Sequence, residues 1–457
     1  MSSTIKRNKY EIDMCNGTIM DKLISFSLPL MLSGILQLMF NAVDIIVIGR
    51  FSGSQSLAAV GSTTALINMF TNLFIGISLG ANVLSARFYA AGKDKEMSET
   101  VHTAITLALI SGIIMVFVGL IFAKPVLELM DTPDDVINLS TLYMRIYFMG
   151  MPFFMLYNYG ASILRAVGDT KRPLFYLIVA GIANAGLNMC LVIIFHLGVA
   201  GVAIGTVISQ LISSILVLRC LYQSETSYQL RFSKLKIQKE YLKQIFQVGI
   251  PAGIQSTVIN FSNVLLQSSV NSFGSIAMAG YTAANNIFGF LYVTVNAVTQ
   301  ACMSFTSQNY GVGKWKRMDR VLIDCLILSF VAMMILGNSA YFFGPKLLTI
   351  YTSNSKVIQC GMEILLYTTV TYFLCGFMDL FPGALRGMGR SGVPMILSII
   401  GTVGTRIVWI FWIFPNHRSL DILFISYPAS WIITIVLQVI CYYFVRKQLY
   451  AKMRAEE

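Results

Sequence analysis

Twelve long apolar stretches leave this 457-residue chain only one solvent to fold in. A helix rises about 1.5 Å per residue, so about 20 apolar residues are needed to cross the roughly 30 Å of a bilayer's hydrocarbon core. Stretches of that kind run over residues 23–48, 57–86, 100–123, 139–163, 174–196 and 199–222. A basic segment from Arg231 to Lys243 follows, and six more run over 245–270, 276–307, 321–343, 359–384, 393–414 and 422–445. Composition agrees: 56% of the residues are hydrophobic and 12% are charged, against about 25% charged in a soluble domain. No soluble fold hides that much apolar surface, which excludes a water-soluble enzyme. The expectation is an all-α integral membrane protein of twelve transmembrane helices in two sets of six. The domains are then an N-terminal lobe over 1–222, a cytoplasmic linker over 223–244 and a C-terminal lobe over 245–457.

The net charge of +12 would suggest nucleic acid in a soluble protein. Its distribution says otherwise. With the N-terminus inside, 26 of the 33 Lys and Arg residues fall on the inner side, beginning with Lys6, Arg7, Lys9 and Lys22, and six fall outside or near the outer ends. That bias is topological. It predicts a multi-pass protein of the inner (plasma) membrane with both termini cytoplasmic and no nucleic-acid partner. The first 20 or so residues are polar and lack the apolar stretch of a signal peptide. Eight cysteines without C-x-x-C spacing read as reduced thiols rather than a zinc site.

The two halves repeat at an offset of 221–222 residues. LRAVGDTKRP (164–173) lies over LRGMGRSGVP (385–394), YAAGKDKEM (89–97) over YGVGKWKRM (310–318), and SLPLMLSG (27–34) over GIPAGIQS (249–256). An even number of spans per repeat gives both halves one orientation, the arrangement in which transporter halves rock about a central site. Pro29 and Pro251 fall mid-span in the first helix of each repeat, as a kink or a hinge. Small-xxx-small pairs at Gly76/Gly80, Gly201/Gly205, Gly249/Gly253 and Gly383/Gly387 read as close helix packing.

Chemistry has to be sought among polar residues inside the membrane, where an acid costs about 2.5–3.5 kcal/mol. Asp44 lies about four residues from the outer end of the first span, and its repeat counterpart is Leu266. The fifth span carries Asn184 and Asn188 on one helix face, and the sixth carries Thr206. Counting residues from the outer side puts Asp44, Asn188 and Thr206 at similar depth. A carboxylate, two amides and a hydroxyl suit a small hard cation such as Na+, or Asp44 accepts a proton and the amides are its hydrogen-bond partners. Deeper in the second half, Arg406 is expected to pair with Glu363, and Asp379 is either paired with Arg386 or snorkelling. The amides of the seventh and eighth spans suit a wet cavity, and 24 Met with 51 Tyr and Phe suit a broad apolar ligand. Phosphate-loop, zinc-protease and nucleophile-elbow motifs are absent from the sequence.

These features together resemble the MATE family, the multidrug and toxic compound extrusion transporters. The resemblance rests on the two six-span repeats, VDIIVIGRFSG at the end of the first span, the paired LRAVGDTKRP and LRGMGRSGVP, and GVAGVAIGT opening the sixth span. It is nearest to the bacterial branch related to DinF and MepA. It implies alternating-access efflux of amphipathic, often cationic small molecules in exchange for H+ or Na+, with no cofactor, no resident metal and no obligate protein partner. It implies a coupling site at Asp44, Asn184, Asn188 and Thr206, and cavity residues at Gln37 and Tyr143 beside the Pro29 kink. In the sodium-driven NorM-like branch acids stand in the seventh and tenth helices. Here Asn260 holds the first position and Asp379 falls about one turn from the second, so both are assigned to the cavity and coupling shifts to Asp44. The alternative reading is a flippase for lipid-linked precursors, which would line the cavity with basic residues.

Overall fold

The computed structural model describes residues 9–130 and 132–456; Lys6 and Arg7, counted above on the inner side, lie outside the described residues. The first half runs α1 (Met20–Phe51), α2 (Gly53–Ala90), α3 (Asp94–Leu129), α4 (Asp134–Met149), α5 (Met151–Ala166), α6 (Lys171–Met189) with a π-helical continuation over Cys190–Ile194, and α7 (Gly198–Tyr222). The second half runs α8 (Lys239–Asn271), α9 (Ser275–Gly311), α10 (Trp315–Phe342), the short α11 (Gly344–Thr349), α12 (Ser355–Thr369) and α13 (Tyr372–Gly387). It closes with α14 (Gly392–Ser398), a π-helical Ile399–Gly404, α15 (Thr405–Val408), a π-helical Trp409–Ile413, and α16 (Leu420–Glu456). Among the described residues there is no strand.

Each of the twelve predicted spans coincides with a helix or helix pair of this series, but not every one is a plain apolar rod. Among the described residues nine helices are long and apolar enough to cross a membrane, ten with α12–α13 taken as one bent span. The fourth span is two 16-residue helices, divided at Gly150–Met151–Pro152, where a proline can only begin a helix. The seventh, α8, carries Gln255, Asn260, Asn263 and Gln267, which lower its hydropathy. The tenth bends by 44° between α12 and α13. There the hydroxyls of Thr368, Thr369 and Thr371 donate to the carbonyls four residues earlier at 2.6, 2.7 and 2.7 Å, competition with the helix ladder that bends helices. The eleventh span alternates α-helical and π-helical turns, the latter over Ile399–Gly404 and Trp409–Ile413.

Side chains are distributed for lipid. Large apolar residues such as Phe117, Ile121 and Phe122 of α3 are exposed, while α9 buries Ser304, Thr306, Ser307, Gln308 and Asn309.

Two of the three repeat motifs are helix stops. Gly92, Gly168, Gly313 and Gly389 all have positive φ, at 65°, 97°, 70° and 81°. At Gly168 the glycine N–H bonds Arg165 O and the Asp169 N–H bonds Leu164 O; Gly389 and Arg390 repeat the pattern on Arg386 O and Leu385 O. These 5→2 and 6→1 bonds form the Schellman motif, whose left-handed residue is a glycine. Gly168 also leaves no room: a Cβ there would lie 2.6 Å from the backbone N and O of Ile12. Gly168→Ala is expected to destabilise by roughly 2–3 kcal/mol, strain plus overlap. Gly53→Ala, with φ 82° but nothing within 4 Å of the added carbon, is expected to show the strain alone. Thermal melting of the two variants checks the difference, and equal melting temperatures would refute the overlap.

Two compact units are formed, one of Met1–Ile12 and Leu32–Gly253, the other of Asp13–Met31 and Ile254–Glu457. The two helices that open the repeats change unit just after their prolines: α1 between Met31 and Leu32, α8 between Gly253 and Ile254. Both run unbroken through the proline.

Candidate functional site

In the first unit a polar node forms where α1, α6 and α7 meet. Asp44 of α1 is 9% exposed and Asn188 of α6 is fully buried. The Asn188 side-chain nitrogen donates to Asp44 Oδ1 at 2.5 Å and lies 3.3 Å from Asn184 Oδ1. Asn184 donates in turn to Thr206 Oγ1 at 3.4 Å, and Thr206 stands close to Asp44. The i, i+4 spacing of the two asparagines sets them on one face of α6, and the π-helical turn begins two residues after Asn188. Such bulges insert one residue and gather at functional sites.

Gly205 is what lets α7 come this close. A Cβ at that position would overlap Asn188 Oδ1. That oxygen is buried and among the described residues accepts no hydrogen bond, although buried polar atoms are nearly always partnered. No Lys or Arg among the described residues forms an ion pair with Asp44. The node is therefore a desolvated carboxyl group beside an open amide oxygen and a hydroxyl. A charge so placed is compensated by hydrogen bonds, by a proton or by a bound cation, and oxygen donors of this set suit a hard cation.

Sequence reasoning places Tyr143 in the cavity and misses two other neighbours of the node, Tyr147 and Gln210. Tyr143 and Tyr147 of α4 are within electrostatic reach of Asp44, their rings 6.0 Å apart. Gln210 of α7 lies beside Tyr147. Its signal was available, since Gln210 lies one turn beyond Thr206 on the same face of α7.

The four residues assigned to a cavity are not gathered in one unit. Gln37 is exposed on α1 and Tyr143 is buried on α4 in the first; Asn260 is exposed on α8 and Asp379 is half-buried on α13 in the second. Asp379 lies near Arg386, but among the described residues the two form no ion pair, and Arg386 Nη2 donates instead to Gln255 Oε1 at 2.7 Å.

The expected pair of Arg406 with Glu363 is overturned. Arg406 is 3% exposed; its Nη1 donates to Ser262 Oγ at 3.1 Å and Asn263 Oδ1 at 2.7 Å. Its guanidinium stands 4.7 Å from the Tyr427 ring centroid. Glu363 lies near Asp421 instead. Similar depth was the basis for pairing them, and depth leaves open the rotation of each helix about its axis, which aims Arg406 at α8 and α16.

The family model described as MatE matches the chain twice, over residues 29–190 and 251–412. The chain is similar to a protein named probable multidrug resistance protein YoeA from Bacillus subtilis (strain 168), with 30% identity over 434 residues, 93% of each chain. It is also similar to the multidrug export protein MepA of Staphylococcus aureus (strain NCTC 8325 / PS 47), 23% identical over 83% of this chain and 84% of that one. Among solved structures, the fold matches an outward-facing conformation of a multidrug resistance MATE family transporter of the MOP superfamily. The TM-score is 0.89 at 20% identity, covering 98% of this chain and 100% of that chain.

Proposed function

We propose that this chain, which belongs to the MatE family, exports amphipathic, cationic small molecules in exchange for H+ or Na+ bound at Asp44. It does so as a multi-pass protein of the plasma membrane with both termini in the cytoplasm. The observation that carries the reading is the node itself: a buried carboxyl group held by Asn188 and close to Thr206, which among the described residues has no cationic partner and stands beside an amide oxygen that accepts no hydrogen bond. The names of YoeA and MepA, a probable multidrug resistance protein and a multidrug export protein, support export of drugs.

In this scheme the outward-open form loads H+ or Na+ at Asp44, with Asn184, Asn188 and Thr206 as further oxygen donors, and loading favours release of the exported compound. The inward-open form releases the ion and takes up the next molecule, with Gln37 and Tyr143 the substrate-contacting residues of the first unit and Asn260 and Asp379 those of the second. Pro29 and Pro251 are the hinges, because each stands just before the point where its helix changes unit. One charge crossing 100 mV supplies about 2.3 kcal/mol and one pH unit about 1.4 kcal/mol. One-for-one exchange then sustains a gradient of several hundred-fold, roughly 1.4 kcal/mol being needed per decade.

The test is ethidium efflux by the purified protein in proteoliposomes, under an imposed pH gradient and then an imposed sodium gradient. Uphill movement under one of them is expected, and it names the ion. No movement under either, with oriented protein present, would refute the antiporter and leave the lipid-linked precursor flippase.

A further inference from the structure

Both units have a polar node where the first, fifth and sixth spans of their repeat meet, and the two nodes have opposite sign. In the first unit it is Asp44 of α1 with Asn184, Asn188 and Thr206 of α6 and α7. In the second it is Arg406 of α15, with Ser262 and Asn263 of α8 and Tyr427 of α16. The family matches begin and end 222 residues apart, and at that offset Arg406 stands where Asn184 does and Leu266 where Asp44 does. The Gly168 and Gly389 stops are 221 apart. The extra residue falls between them and Arg406, where the π-helical Ile399–Gly404 accommodates one more residue in the helix.

The second node is short of negative charge. A guanidinium has five N–H donors and no acceptor. Nη1 is used by Ser262 and Asn263, while Nε is buried with no acceptor and Nη2 meets none among the described residues. The titratable groups in electrostatic reach of the guanidinium are Tyr427, Tyr281, Cys375 and Tyr372, none of them a carboxylate. Among the described residues no acid forms an ion pair with Arg406: Asp319 pairs with Arg446 and Asp324 with Arg320, while Asp379 lies near Arg386 and Glu363 beside Asp421. The face of Tyr427 offsets part of the charge but accepts no N–H. What is left over is the Nε–Nη2 edge, the side of the fork that receives a carboxylate through two parallel hydrogen bonds.

We propose that Arg406 is the binding residue of a monovalent-anion site inside the second unit, taking either the carboxylate of a small molecule or a free halide on its Nε–Nη2 edge. One guanidinium supplies one charge, which fits a singly charged anion. The site belongs to one unit and does not depend on ion coupling at Asp44.

Trp431 reports on it. Its ring is 3% exposed and lies 5.8 Å from that of Tyr427, shielded from bulk quencher. Iodide is titrated into the purified full-length protein at constant ionic strength in sodium sulfate, following tryptophan fluorescence. A saturable quenching component is expected in the wild type and in Asp44→Asn. It is expected to vanish in Trp431→Phe and to need at least tenfold more iodide in Arg406→Met. Displacement by acetate at lower concentration than chloride identifies the carboxylate source; the reverse order identifies the halide. The proposal is overturned if wild-type quenching is only linear in iodide, or if the saturable component survives unchanged in Arg406→Met or Trp431→Phe. Should Arg406→Met not fold, the wild type decides alone: a component that neither chloride nor acetate displaces overturns the site.

Discussion

Asp44→Asn is expected to abolish gradient-driven efflux, by at least 100-fold, while leaving the protein folded. The substitution keeps the shape of the side chain and an oxygen for the Asn188 amide, which now donates at 2.5 Å. It removes the only group of the node that takes a proton or carries a charge. Stability should change by no more than about 1 kcal/mol, because an isosteric amide is less costly to bury than an acid. Equilibrium binding of ethidium, read by fluorescence polarisation, should persist, so that loss of transport with binding intact separates coupling from recognition. Efflux by Asp44→Asn that still responds to a pH or sodium gradient would move the coupling ion to Asp379 or elsewhere.

Gly80→Leu should cost on the order of 3 kcal/mol or more and lower the yield of folded protein. In the first unit the Gly76/Gly80 pair of α2 packs on the Gly249/Gly253 pair of α8. A Cβ on Gly76 would fall on the backbone of Gly253, and one on Gly80 on the carbonyl of Ile245. Backbone cannot step aside as a side-chain tip can, so the helices must part along the whole contact. In lipid that contact is itself the stabilising interaction, since no hydrophobic effect draws the helices together, and overpacking costs roughly 1–3 kcal/mol even in soluble cores. Gly186→Ala is the control, with nothing within 4 Å of the added carbon. Melting followed by tryptophan fluorescence should drop by several degrees for Gly80→Leu and stay within about 2 °C for Gly186→Ala. Similar melting of the two variants would refute the close crossing.

Much of this was legible in the residues. The spans follow from apolar length, because lipid imposes a fixed thickness. The repeat follows from its anchors, and the structure gives their reason: Gly92/Gly313 and Gly168/Gly389 are left-handed helix stops that few other residues tolerate. The meeting of Asp44 with Asn184, Asn188 and Thr206 could be expected by counting depth along three neighbouring spans. Other features could not be counted. The division of the fourth span at Gly150 and the bend of the tenth at its threonines are local competitions that an apolar window averages away. The role of Gly205 exists only because Asn188 Oδ1 of another helix lies against it.

The sequence by itself determined the solvent, the number and order of the spans, their orientation bias and the two-fold repeat, because each depends on length, charge or position along one chain. Only the tertiary structure decided which polar groups face one another, because that depends on the rotation and separation of packed helices. Gly205 sets the separation at Asp44 and Asn188, and rotation turns Arg406 away from Glu363 towards Ser262, Asn263 and Tyr427. Two sequence-related halves thereby hold an acid in one node and a guanidinium in the other.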